Sequence, residues 1–178
     1  MEEYGELLGP DAVRFVRLLP GPIERVWSYL VDADKRARWL CGGETEPKVG
    51  GHVDMEFDNS RLSGPNDDPR PEKYAQFDGP VTFSGTVTRY DPPRLLTHTW
   101  DFEGESSEVC YELSAEDDKV RLVLTHTRLN SDEEVRDVCA GWHAHLGILS
   151  DVLEDRSPRP FWRTHTALEA DYGARIGG

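Results

Sequence analysis

The stretch "NSDEEVRDVCAGWHAHLGILSDVLED", residues 130–155, decides the fold. It opens on Asn130 and Ser131, either of which can cap a helix by accepting a backbone N–H. Asp132, Glu133 and Glu134 follow, where the helix dipole favours negative charge. Val135, Val138, Cys139, Trp142, Leu146, Leu149, Val152 and Leu153 then recur at helical spacing, as one apolar stripe. Pro158 and Pro160 lie beyond its end. The spacing predicts a long amphipathic helix.

The same stretch holds His143 and His145, a pair that could grip a metal if it lay on a strand. Along a helix, side chains two apart diverge by roughly 200°. The two rings therefore cannot converge on one ion. With Trp142, Leu146, Leu149 and Leu153 as the buried centre, His145 is expected at the edge of the stripe and His143 toward solvent.

A helix with one apolar face needs a partner surface, and the preceding chain supplies one. From Val81 the pattern alternates. "VTFSGTVTRY" ends at Asp91-Pro92-Pro93, and "RLLTHTWDF" sets Leu96, His98, Trp100 and Phe102 against Thr97, Thr99 and Asp101. "SEVCYEL" alternates Val109, Tyr111 and Leu113, and Ser114–Asp118 is expected as a turn. "KVRLVLTHTRL" alternates Val120, Leu122, Leu124 and His126. Four such strands with short connections predict an antiparallel meander with one buried face.

Further upstream, "AVRFVRLL", 12–19, reads as a strand. In "PGPIERVWSYLVD", Pro22 suits a first helical turn, and Ile23, Val26, Trp27 and Leu30 take helical spacing. "ADKRARWL" predicts a second short helix ended by Gly42-Gly43. Val53, Met55 and Phe57 alternate with His52, Asp54 and Glu56 as a half-buried strand. Residues 59–80, rich in Pro, Gly, Asn and Asp, form a long connection of the kind that serves as a lid, a binding loop or disorder. Residues 1–11 are expected as a loose arm, 12–156 as the domain, and 157–178 as a tail. Phe161, Leu168 and Tyr172 give that tail a weak helical pattern. It could dock on the body or on a second copy, which leaves a homodimer open.

The 178 residues suit one domain with a real core. A net charge of −14 repels nucleic-acid phosphates and anionic membrane surfaces, so neither is an expected partner. The N-terminal "MEEYGELLGP" lacks the apolar core of a signal peptide, and no apolar run has the length of a membrane span. Three widely spaced cysteines, Cys41, Cys110 and Cys139, form no CxxC pair. Reduced thiols in the cytoplasm are the expectation, with no metal and no redox cofactor.

The element order is strand, two short helices, antiparallel strands and one long helix. It predicts an α+β helix-grip fold, a curved antiparallel sheet wrapped around the long C-terminal helix. The chain resembles the START-like superfamily, which has this fold. It is most similar to the activator of heat-shock-protein-90 ATPase homologue family. The resemblance rests on "PGPIERVWSYLVDADKRARWL", "VGGHVDMEF", "GTVTRYDPPRLLTHTW", "VRLVLTHTRL" and "GWHAHLGILSDVLED" taken as a set, over roughly residues 13–155. It implies a mostly apolar cavity able to hold a lipid, a polyketide or another small hydrophobic molecule.

The candidate ligand-contacting residues follow from strand phase and helix face. Trp100 is the leading cavity-lining residue, with Phe57, Phe83, Tyr111 and Trp142 as further aromatic candidates. His98 and His126 share the apolar phase of their strands, and His145 would face them from the helix. Such rings are either polar points of a cavity or core histidines with satisfied hydrogen bonds. No nucleophile elbow, calcium loop or phosphate-binding glycine loop is present in the sequence. Three functions follow: a module binding a small hydrophobic ligand, a polyketide cyclase or dehydratase acting through His98, His126 or Tyr111, or a protein that contacts a chaperone or regulator. The first is preferred, and with it the reading that the chain is not an enzyme.

Overall fold

In a computed structural model of the chain, residues 4–62, 66–74 and 80–176 are described. Seven strands form one antiparallel sheet: β1 (Glu6–Gly9), β2 (Ala12–Pro20), β3 (His52–Phe57), β4 (Val81–Asp91), β5 (Leu95–Phe102), β6 (Glu105–Glu116) and β7 (Lys119–Thr127). Their order across the sheet is β1-β2-β7-β6-β5-β4-β3. Helices α1 (Ile23–Val31) and α2 (Ala33–Arg36) connect β2 to β3, and α3 (Asp132–Leu153) and α4 (Phe161–Ile176) follow β7. The fold is the helix grip that the element order predicts.

The register places the apolar phases on one face. Phe15 pairs with Leu124, Leu124 with Tyr111, and Tyr111 with Leu96. Directly opposed residues of an antiparallel pair project to the same side, so this row forms a continuous apolar floor. At the far edge Met55 opposes Phe83 and Phe57 opposes Val81. Gly85 sits where the Thr99 carbonyl comes so close that a Cβ could not be placed. The hairpin between β5 and β6 turns on Glu103 and Gly104, both at positive φ, the backbone that a tight two-residue hairpin needs.

Helix α3 starts where expected, and Ser131 is the cap: its Oγ accepts from Glu134 N at 3.1 Å. The Glu134 carboxylate in turn accepts from Asn130 N at 2.6 Å. Beyond Cys139 the helix is buried on nearly every side rather than along one stripe. The reason is α4, which the tail forms as a continuous helix and which buries Phe161, Trp162, His165, Leu168 and Tyr172. Helix α3 is thus held between the sheet and α4.

Several local expectations are revised. The N-terminal arm contains β1, which pairs with β2. Its approach is tied to α4 by Tyr4 Oη donating to Asp171 and by Gly5 N donating to Tyr172 Oη. The second short helix stops at Arg36. There the buried guanidinium turns back to donate to the carbonyls of Cys41, Gly42, Gly43 and Asp54 and to Thr45 Oγ1. Strand β6 runs on to Glu116, so the expected turn shortens to the residues around Asp117, which has positive φ. Within the long 59–80 connection, Asn59–Arg61 and Glu72–Tyr74 form single 3-10 turns. Residues 63–65 and 75–79 of that connection lie outside the described residues. Among the described residues no helix is long and apolar enough to cross a membrane.

Candidate functional site: an aromatic cavity with an acidic rim

A cavity of about 680 Å³ opens between the inner face of the sheet, α3 and α4. The sheet contributes Phe57, Phe83, Trp100 and Phe102, α3 contributes Trp142 and His145, and α4 contributes Trp162 and His165. The aromatic rings form a connected wall. Phe57 meets Phe83 edge-on at 5.2 Å between centroids, and Trp100 meets Trp142 edge-on at 5.4 Å. Tyr74, from the long connection, covers one side. Its ring stacks on Trp162 at 5.6 Å, and its hydroxyl donates to Glu169, which also pairs with Lys73.

Six of the eight residues singled out by sequence line this cavity: Phe57, Phe83, Trp100, His126, Trp142 and His145. His98 and Tyr111 are buried but do not line it. The His98 ring stacks behind Trp100 at 6.3 Å, and its Nδ1–H donates to the Thr99 carbonyl at 2.8 Å. Tyr111 packs edge-on against Trp142 beneath the wall. His143 is buried rather than solvated, paired through Nδ1 with Tyr172 Oη at 2.8 Å and packed against Tyr4. It is covered on the outer side of α3 by Tyr4 of the N-terminal segment and Tyr172 of α4, which the periodicity of α3 alone does not report.

The hydrogen bonds assign the histidine tautomers. An indole N–H can only donate. Trp142 Nε1 donates to His126 Nδ1 at 3.0 Å, so the His126 proton sits on Nε2 and is donated to Ser107 Oγ at 2.7 Å. Ser107 therefore accepts from this ring and is not activated by it, although a serine beside a histidine resembles a nucleophile pair. Burial lowers the His126 pKa to about 3, helped by nearby His98. Burial likewise lowers His98 to about 4, against the opposing Thr99 hydrogen bond.

His145 is different. Its Nδ1–H donates to the Trp39 carbonyl at 2.8 Å, and Nε2 makes no hydrogen bond among the described residues. Burial holds its pKa near 4, so the ring is neutral and Nε2 is an acceptor on a cavity-lining side chain. The edge position predicted for His145 becomes a fully packed one, with Phe161 of α4 at 4.9 Å.

Sequence reasoning did not find Trp162, His165, Tyr74 or the rim. The rim is acidic, with Glu103 and Glu105 from the β5–β6 hairpin and Glu134 and Asp137 from the first turns of α3. The signal for α4 was present: Phe161, Trp162, His165, Leu168 and Tyr172 fall on one helical face. A second depression of about 470 Å³ lies on the outer face of the sheet, between Arg14, Arg94, Arg121 and Glu112, without aromatic walls. Among the described residues no three His, Cys, Asp or Glu side chains are grouped to hold a metal ion.

A curved sheet gripping a helix, with a cavity between them, defines a START-like helix-grip protein. The chain belongs to the family described as activator of Hsp90 ATPase homolog 1-like protein, whose sequence model matches residues 20–154. Its structure is similar to the solution structure of a protein from Bordetella parapertussis. The two share 45% identity over 98% of this chain and 91% of that one, with a TM-score of 0.82. The fold is also that of CalU16 from Micromonospora echinospora, with TM-score 0.68 and 24% identity over 94% of this chain and 89% of that one. A protein from Chromobacterium violaceum shares it too, with TM-score 0.64 and 21% identity over 82% of this chain and 99% of that one. No curated protein matches this chain.

Proposed function

We propose that this chain binds a small hydrophobic molecule in the cavity between sheet, α3 and α4. The observation that carries the reading is the cavity itself: about 680 Å³, walled by Phe57, Phe83, Trp100, Trp142 and Trp162. That volume is in the range of sites for small organic ligands, and apolar walls with few polar points are their usual lining. Each Å² of apolar ligand surface removed from water contributes about 25 cal/mol.

A cyclase-like or dehydratase-like activity has less support. Both nitrogens of His126 are engaged, and His98 lies behind Trp100. Among the described residues the ring nitrogens left open toward the cavity are His145 Nε2 and those of His165, whose Nδ1 has no hydrogen-bond partner. A cytoplasmic location goes with three free cysteines, of which Cys41 and Cys139 are buried and Cys41 has its thiol pushed up to about 12 by burial.

Native mass spectrometry of the protein isolated gently from its own cells tests the binding role. The expected spectrum shows a mass above that of the polypeptide, and solvent extraction releases the difference as an organic compound. A bare polypeptide mass, together with no saturable binding of any apolar probe, would overturn it.

A further inference from the structure

The polar atoms of the cavity are unevenly used. Its donors are mostly committed to the protein. Trp142 Nε1 is spent on His126, His126 Nε2 on Ser107, Trp162 Nε1 on Ser60, Tyr74 Oη on Glu169, Ser106 Oγ on Asp101 and Asn130 Nδ2 on Glu105. Its acceptors are less so: Glu105 and Glu134 each accept one hydrogen bond from Asn130, and Glu103 and Asp137 accept none among the described residues. His145 Nε2 is unused on a ring that is only 5% exposed. At the mouth stand the carboxylates of Glu103, Glu105, Glu134 and Asp137, and none of the four makes an ion pair among the described residues. Arg70 is the one basic side chain on the described lining, and it is engaged elsewhere.

From this imbalance we propose that the ligand is an organic amine, with an apolar body against the aromatic wall and a protonated amino group at the acidic rim. The proposal rests on the ligand-binding reading and specifies its chemistry. A charged ammonium supplies charge-assisted hydrogen bonds to carboxylates whose present partners, where they have any, are the neutral groups of Asn130. It also gains from aromatic faces beside the rim, where Phe83 and Phe102 lie 4.3 Å apart between centroids. A second donor, such as a hydroxyl on the ligand's inner end, would satisfy His145 Nε2. Burial raises the Asp137 pKa, Lys73 opposes this, and the negative charges of Glu169 and Glu133 add to the rise. An anionic ligand would meet the same carboxylates and be repelled.

The test uses three probes with one apolar body: 1-naphthylmethylamine, 1-naphthylmethanol and 1-naphthoic acid, titrated into the full chain at pH 7 and followed by quenching of tryptophan fluorescence. The amine is expected to bind at least about tenfold more tightly than the acid, because the rim carboxylates attract its charge and repel the acid's. Asp137→Asn should narrow the ratio of amine to acid affinity, and Asp137→Lys should abolish or invert it. Circular dichroism of both variants checks that they fold. Equal affinity for amine and acid, or a ratio unmoved in the folded Asp137→Lys variant, would overturn the amine proposal while leaving a ligand-binding cavity standing. Failure of all three probes to bind would count against the cavity as a binding site and so against both readings.

Discussion

Trp142 Nε1 donates to His126 Nδ1 at 3.0 Å, and this one bond ties α3 to the floor of the sheet and fixes the protonation state of a buried histidine. With Nδ1 accepting, His126 cannot take a second proton without losing that bond. Burial independently keeps the buried histidines neutral, lowering the pKa to about 3 for His126 and to about 4 for His98 and His145.

The sign of the resulting pH dependence is fixed. These rings titrate near 6.5 when unfolded and well below that when folded, so the unfolded chain binds more protons between those values. Stability from this source is fully present above about pH 6.5 and is lost as pH falls toward about 4. Urea unfolding at pH 7.5, 6.0 and 5.0 should show stability falling with acidity. Each such histidine contributes up to about 1.4 kcal/mol per pH unit below 6.5. In His126→Gln the slope should become shallower. A stability unchanged from pH 7.5 to 5.0 would contradict the buried neutral assignment.

The turn between α3 and α4 depends on Asp151. Its Oδ2 accepts from Arg159 N and Nε at 3.0 and 2.8 Å, and its Oδ1 accepts from Arg159 Nη2 and Arg156 Nη2 at 2.9 Å each. Burial pushes the Asp151 pKa up, but the hydrogen bonds from the two arginines outweigh it and hold the carboxyl below its ordinary value. Asp151→Ala should cost about 2–3 kcal/mol in denaturant unfolding, because it leaves a half-buried guanidinium without its carboxylate. Gly147→Ala should cost about 1–3 kcal/mol, since the new Cβ would stand 2.7 Å from Nη1 and 2.9 Å from Cζ of the Arg159 guanidinium that Asp151 holds in place. A loss below 0.5 kcal/mol, taken as roughly the noise of a surface change, would argue against Asp151 as the anchor.

Tyr172 joins three segments: its hydroxyl accepts from Gly5 N at 2.8 Å and pairs with His143 Nδ1 at 2.8 Å. Tyr172→Phe should lower stability by about 1–2 kcal/mol. The specific signature is faster amide exchange in β1 and at the C-terminal end of α4, with β5–β7 unchanged. Uniformly faster exchange across the sheet would instead mean that Tyr172 acts on global stability alone.

The fold was legible in the sequence because strand alternation and the α3 stripe each report which face is buried. The cavity was legible in part for the same reason: Trp100, Phe57, Phe83 and Trp142 occupy inward phases. Phase alone does not say which inward residue reaches the cavity and which lies beneath another ring, so His98 and Tyr111 were placed too far forward. His143 was misplaced because one helix's periodicity cannot reveal a second helix packed on its outer side. The acidic rim was hidden for a related reason, since Glu103 and Glu105 are far in sequence from Glu134 and Asp137 and meet only at the mouth.

Gly141 bears most directly on the binding role. It lines the cavity from α3, and a Cβ added there meets nothing within 4 Å. Gly141→Ala should raise stability by about 0.5–1 kcal/mol through helix propensity alone. Gly141→Phe should keep the fold and put a ring into the cavity. The decisive measurement is titration of the full chain and of Gly141→Phe with the uncharged fluorophore N-phenyl-1-naphthylamine, with unfolding curves recorded beside it. One saturable site in the parent chain and none in an equally stable Gly141→Phe is the expected result. Undiminished binding by a folded Gly141→Phe, or no binding by the parent, would contradict ligand binding in this cavity.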